Sequence, residues 1–225
     1  MREIVLDTET TGFDPYAGHR IVEIGCVELI NRMATGKVYH QYINPERDMP
    51  EEAFKVHGLS EDFLSGHPVF KDIAQDFLDF IQDAALVIHN ASFDMKFLNA
   101  ELEWLSIPHI PMDRAVDTLA IARKKFPGSQ VSLDALCRRF EIDNSSRDFH
   151  GALLDSELLA EVYLELTGGR QPGLELAGDD NGGYSDMSAF GNKPKKEART
   201  YSVPDEEKAL HEEFLKQITD PIWNR

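Results

Sequence analysis

A chain of 225 residues exceeds one average domain and falls short of two large ones, so one main domain with an appendage is expected. No apolar run approaches the roughly 20 residues that cross a bilayer, and Met1-Arg2-Glu3-Ile4 opens without a secretory apolar stretch, which excludes a membrane role and predicts a cytoplasmic protein. The net charge of −17 argues against a broad basic footprint for nucleic acid, yet residues 114–147 hold seven basic and four acidic side chains, a local excess of three positive charges.

Three β-rich runs come first, Ile4 to Leu6, Ile21 to Ile30 and Val38 to Ile43, separated by turn residues, and they predict an antiparallel meander. Phe70, Ile73, Ala74, Phe77, Phe80 and Ile81 recur at helical spacing, and Leu86-Val87-Ile88 reads as a buried strand. Further helices are expected at Ser92 to Leu105, Val116 to Phe126, Leu133 to Phe140 and Gly151 to Leu166. Strands followed by strands alternating with helices predict an α/β fold, a mixed sheet with helices packed on it. Cys26 and Cys137 lie in apolar segments without zinc-site or disulfide spacing, and are read as core. After Thr167-Gly168-Gly169 glycines recur and apolar periodicity stops, which places a domain boundary near Gly168 and a flexible linker over 169–200.

Four acids and one histidine stand out. Asp7 and Glu9 end the first strand, and a period of two puts both on one face, beside the apolar Ile4-Val5-Leu6. Two acids against a core cost free energy unless cations compensate, although a solvated strand end is the other reading. Asp94 opens a helix after a buried run, where an acid also complements the helix dipole. His150 and Asp155 are five residues apart; at about 100° per residue they would diverge on one helix, so convergence requires His150 in the loop before it. A surface histidine and a solvated helix acid are the alternatives for that pair.

The conjunction is more specific than its parts. Asp7-Thr8-Glu9-Thr10-Thr11-Gly12, His89-Asn90-Ala91-Ser92-Phe93-Asp94 and His150-Gly151-Ala152-Leu153-Leu154-Asp155 resemble, in order and spacing, the three motifs of the DEDDh 3′→5′ exonuclease family. The resemblance implies a ribonuclease-H-like fold and hydrolysis aided by two divalent ions, Mg²⁺ or Mn²⁺, held by Asp7, Glu9, Asp94 and Asp155. His150 would be the general base, and Glu52 and His57 would help Asp7, Glu9 and Asp155 hold the terminal nucleotide. Over residues 3–168, including Glu52-Ala53-Phe54-Lys55-Val56-His57-Gly58 and Ser132-Leu133-Asp134-Ala135-Leu136-Cys137, the chain resembles the proofreading, epsilon-type branch that serves bacterial DNA polymerase III. That likeness implies a single-stranded or frayed 3′ end of DNA as substrate, and the large alpha subunit and a theta-like accessory subunit as partners. Enzymes that trim RNA or oligonucleotides share the motifs, and a non-catalytic binding module is a further alternative, which the five intact positions argue against.

The tail carries two further expectations. Gln171-Pro172-Gly173-Leu174-Glu175-Leu176 resembles the motif by which replication proteins bind the beta sliding clamp, plain linker being the other reading. Over 201–225, Ser202 and Pro204 suit a helix start, Asp205, Glu206 and Glu207 its first turn, and Leu210, Phe214 and Ile218 an apolar stripe, with Ile222 and Trp223 beyond. This segment is expected to dock on the alpha subunit.

Overall fold

The computed structural model describes residues 1–145, 149–169 and 204–216. Five strands form one mixed sheet: β1 (Arg2–Thr10), β2 (Ile21–Ile30), β3 (Met33–Tyr42), β4 (Ala85–Ile88) and β5 (Ala115–Asp117), in the order β3-β2-β1-β4-β5. The expected meander is present, since β1 to β3 pair antiparallel, and β4 and β5 then add parallel to β1 and to one another. The alternating pleat divides β1 between two cores. Ile4 and Leu6 face a layer formed by α3 (Phe70–Ile81) and α4 (Ala91–Trp104), where Phe77 and Phe97 are fully buried. Val5 faces a second layer of α5 (Thr118–Lys125), α6 (Leu133–Phe140) and α7 (Ala152–Leu166). Both cysteines are buried, as expected.

Three elements differ from the sequence reading. Val116 and Asp117, expected to begin a helix, belong instead to β5, because parallel pairing with β4 outweighs the local helical pattern. Asp117 then caps α5, its carboxylate accepting from the backbone of Leu119 and Ala120. Two short helices, α1 (Glu51–His57) and α2 (Glu61–Leu64), were not anticipated; only His57 and Leu64 of their residues are buried, too few for an apolar period.

α7 lies along β1. At one end Tyr163 donates from its hydroxyl to Glu3 at 2.8 Å; at the other Ser156 donates to the Gly25 carbonyl at 2.9 Å. Gly25 sits in β2 opposite Asp7. A Cβ at Gly25 would stand 2.3 Å from the backbone of Ala152 and Leu153, so only glycine lets the start of α7 touch the sheet there. On the other face Glu101 of α4 accepts both arms of the Arg20 guanidinium, at 2.7 and 2.8 Å, and fixes α4 to the edge of β2.

The last described residues of the main unit are the turn Thr167–Gly169. The linker, the clamp-like segment 171–176 and Ser202, Ile218, Ile222 and Trp223 lie outside the described residues. A second unit contains α8 (Asp205–Leu215), with Asp205, Glu206 and Glu207 in its first turn and Leu210 and Phe214 exposed one turn apart. Among the described residues no helix is long and apolar enough to cross a membrane.

Gly25→Ala should destabilise the protein by about 1–3 kcal/mol, the usual cost of overpacking. A thermal melt of the purified variant, set against wild type, measures this; an unchanged melting temperature would mean that α7 can retreat at no cost.

Candidate active site

β1 carries Asp7 and Glu9 on the α7 face of the sheet, opposite Gly25 and Glu23 of β2, and the register shifts just after Glu9. Such a bulge bends a strand and re-aims the side chains at its end. α7 brings the second group. His150 lies in the loop before the helix, as the spacing required, and its backbone N–H donates to the Val56 carbonyl at 3.1 Å. Asp155 is in the first turn, where its N–H bonds back to Gly151, and its carboxylate is 3.5 Å from Nδ1 of His150. One ligand atom each from Glu9, His150 and Asp155 lies within 4.8 Å of the others. Glu9 and Asp155 are buried and His150 is half exposed.

Asp94 reaches the same strand end from the other side. One of its oxygens accepts both the Thr8 N–H, at 3.1 Å, and the Thr8 hydroxyl, at 2.8 Å. Thr8 stands between Asp7 and Glu9, so the hydrogen bonds that hold Asp94 also tie α4 to the acidic strand end. Burial pushes the Asp94 carboxyl up to about 7, with the Thr8 hydrogen bonds opposing and the Asp117 charge adding to the rise. α4 starts at Asn90, which adopts the left-handed conformation that asparagine tolerates.

Two clefts flank these groups. The first, about 270 Å³, runs from Thr8, Glu9 and Thr10 past Phe13 and Phe93 to Glu52, Val56 and His57. His57 is buried at the end of α1; its Nδ1 accepts the Leu59 N–H at 3.0 Å, which leaves Nε2 to carry the proton. Burial holds its pKa below the ordinary imidazole value, the Glu23 carboxylate and the Thr10 backbone opposing. The second cleft, about 460 Å³, is bordered by Asp7, His150 and Asp155 and extends to His89, Arg123, Ser132 and Asp134.

The seven residues singled out in the sequence thus fall around one strand end. Glu9, His150 and Asp155 meet directly, Asp7 borders the cleft that His150 and Asp155 share, and Glu52 and His57 line the cleft that contains Glu9. Asp94 is engaged by Thr8. Sequence reasoning missed Gly25 and Thr8. A glycine inside an apolar strand is the signal that could have found Gly25. Four carboxylates and an imidazole are a donor set of hard oxygens with one nitrogen, which suits a divalent cation.

The exonuclease family model matches residues 4–163. The chain is 51% identical over 223 residues to the DNA polymerase III subunit epsilon of Rickettsia felis, with 97% of each chain covered. It is 47% identical over 227 residues to the protein of the same name from Escherichia coli K12, covering 96% of this chain and 93% of that one. Among solved structures, the nuclease domain of 3′hExo, titled a DEDDh family member bound to rAMP, matches with a TM-score of 0.64 at 20% identity, over 74% of this chain and 91% of that one. Exonuclease X in complex with 5′ overhanging duplex DNA matches with a TM-score of 0.57 at 24% identity, over 73% of this chain and 90% of that one. The five-stranded mixed sheet flanked by helices is therefore the expected ribonuclease-H-like exonuclease fold.

The raised pKa of Asp94 makes metal-free stability depend on pH. The folded value, about 7, exceeds the ordinary 3.8, so the folded state binds a proton more tightly than the unfolded state. The benefit is full below 3.8, declines as pH rises toward 7, and is gone above it. Melting curves in chelator should show wild type losing stability across that window while Asp94→Asn does not; parallel losses in the two proteins would remove Asp94 as the cause.

Proposed function

The chain belongs to the exonuclease family that includes the DNA polymerase III epsilon subunits, and from this we propose that it is a proofreading 3′→5′ exonuclease whose site is Asp7, Glu9, Asp94, His150 and Asp155. The convergence of Glu9, His150 and Asp155 ligand atoms within 4.8 Å, from elements about 140 residues apart in sequence, is the observation that carries the reading. Asp7, Glu9 and Asp155 would hold one divalent ion, with Asp7 also reaching a second that Asp94 serves. When bound, Mg²⁺ or Mn²⁺ supplies positive charge to the phosphate and acidifies water.

The residues then divide the work. The terminal nucleotide enters the cleft lined by Phe93 and Val56, where the Nε2–H of His57 and the Glu52 carboxylate are available to its polar groups. His150, half exposed and next to Asp155, removes the proton of the attacking water. Water adds to phosphorus, the bond to the 3′ oxygen of the penultimate nucleotide breaks, that oxygen takes a proton from solvent, and the products are a nucleoside 5′-monophosphate and a strand with a free 3′ hydroxyl. Burial holds the pKa of His57 below the ordinary imidazole value, which disfavours its taking the proton of the attacking water.

The relatives are named as subunits of DNA polymerase III, and the same assembly is proposed for this chain, in the cytoplasm. The segment from 201 to 225 is read as the part that binds the alpha subunit. The exposed Leu210 and Phe214 of α8 support this, since a short helix with an uncovered apolar edge gains most of its stability from a partner. Residues 171–176 are proposed to touch the beta clamp, and a theta-like subunit to bind the catalytic unit.

Asp7→Ala and Asp155→Ala should abolish metal-dependent release of mononucleotides from single-stranded DNA while the protein stays folded, because removing one of several gathered carboxylates relieves repulsion. His150→Ala should slow the reaction by about 10²- to 10⁴-fold, the usual share of a general base. Near-normal rates in either acid variant would sink the assignment, and the same assay on RNA reports sugar preference. In a separate test, deletion of residues 201–225 should abolish co-purification with the alpha subunit and leave hydrolysis of free single strands unchanged; retained binding would move the contact to the catalytic unit.

A further inference from the structure

Resting on the exonuclease reading above, the two clefts give the bound strand a direction. A bond to be cut must lie over the acids, between Glu9, which borders the first cleft, and Asp7, which borders the second. With the terminal nucleotide in the first cleft, the rest of the strand leaves on the Asp7 side. That side is the cleft of about 460 Å³ whose lining also includes Arg123, Val131 and Ser132.

Arg123 is the one arginine or lysine among the described residues that line this cleft. It is exposed in the last turn of α5, and no hydrogen bond or ion pair to a described residue engages its guanidinium. Lys125, two residues on, is committed, its ammonium donating to the carbonyls of Glu165 and Leu166 at 3.2 and 3.0 Å. The Arg139 guanidinium stacks 4.4 Å from the centre of the Phe126 ring. Of the acids on this side, Asp134 accepts from Asn144 at 3.2 Å and Asp117 caps α5. Ser132 accepts the Ala135 N–H at 3.3 Å and so caps α6. In a chain of net charge −17, an unclaimed cation beside a cluster of acids is a specific asset for a polyanion. Guanidinium geometry matches two phosphate oxygens at once.

We propose that Arg123 grips a backbone phosphate of the strand on the 5′ side of the scissile bond, and that the cleft from Asp7 to Arg123 is the path by which the single strand leaves the site. The contact is to phosphate, so it is indifferent to base sequence and sensitive to salt. It acts on strands and not on single nucleotides.

The test uses the full chain with calcium in place of magnesium, and two probes: a 5′-fluorescein oligo-dT strand and thymidine 5′-monophosphate. Arg123→Gln should weaken strand binding about tenfold, as expected for loss of one charge-assisted contact, and make its salt dependence shallower by about 0.7 in the logarithmic slope. Mononucleotide binding should not change, and Arg123→Lys should restore the salt dependence and only part of the strand affinity. Unchanged strand affinity and slope in Arg123→Gln would overturn the proposal, as would an equal loss with both probes, which would place the effect in the terminal pocket. Mg²⁺-dependent hydrolysis by wild type is measured alongside: its absence would refute the exonuclease reading, while the strand-binding comparison would still decide the role of Arg123.

Discussion

The close approach of α7 to β2 at Gly25 is the contact on which the candidate site depends. Gly25 is the cross-strand neighbour of Asp7, and the backbone of Ala152 and Leu153 occupies the place where its side chain would be. The helix therefore begins directly over the acidic strand end, with His150 one residue before the cap and Asp155 in the first turn. Ser156 reinforces the seating through the Gly25 carbonyl, and Tyr163 anchors the far end on Glu3. A helix that seats at both ends cannot rotate, and rotation of about 100° per residue would be enough to carry Asp155 out of the site.

That seating brings acids together, and their mutual repulsion must be held by the fold. The pleat shares the cost between the two faces. Asp7 and Glu9 project toward α7, while Thr8 between them projects toward α4 and satisfies Asp94 with two hydrogen bonds to one oxygen. The raised pKa of Asp94 is a separate cost, since burial of the carboxyl favours its protonated form. Two other buried acids of the main unit, Glu101 and Glu28, are paired with Arg20 and Arg2, and divalent cations would do the same at the strand end.

The clefts on either side differ in a way that suits unequal halves of one substrate. The first is small, lined by Phe13, Val56 and Phe93, and closed by the buried His57, which fits a single nucleotide. The second is open and carries Arg123, which suits a chain that continues. A strongly acidic protein can thus handle nucleic acid without a basic face, by placing few cations where a phosphate passes.

Much of this was legible in the chain alone. Ile4, Val5 and Leu6 announced a buried strand, and an interval of two put Asp7 and Glu9 on one side of it, because a strand's period follows from its backbone. The five-residue interval from His150 to Asp155 required a loop before a helix for the same kind of reason. The order of the three motifs was enough to identify the family. Local pattern could not determine which strands are neighbours: Val116 and Asp117 of β5 were read as the start of a helix because the pairing with β4 involves residues about 30 positions away. Nor could it show that Gly25 exists for α7, that Thr8 holds Asp94, or that Arg123 lines one cleft with Asp7, His150 and Asp155. Those relations join segments 86 to 131 residues apart, or sides of a cleft built by separate helices, and only packing brings them within reach.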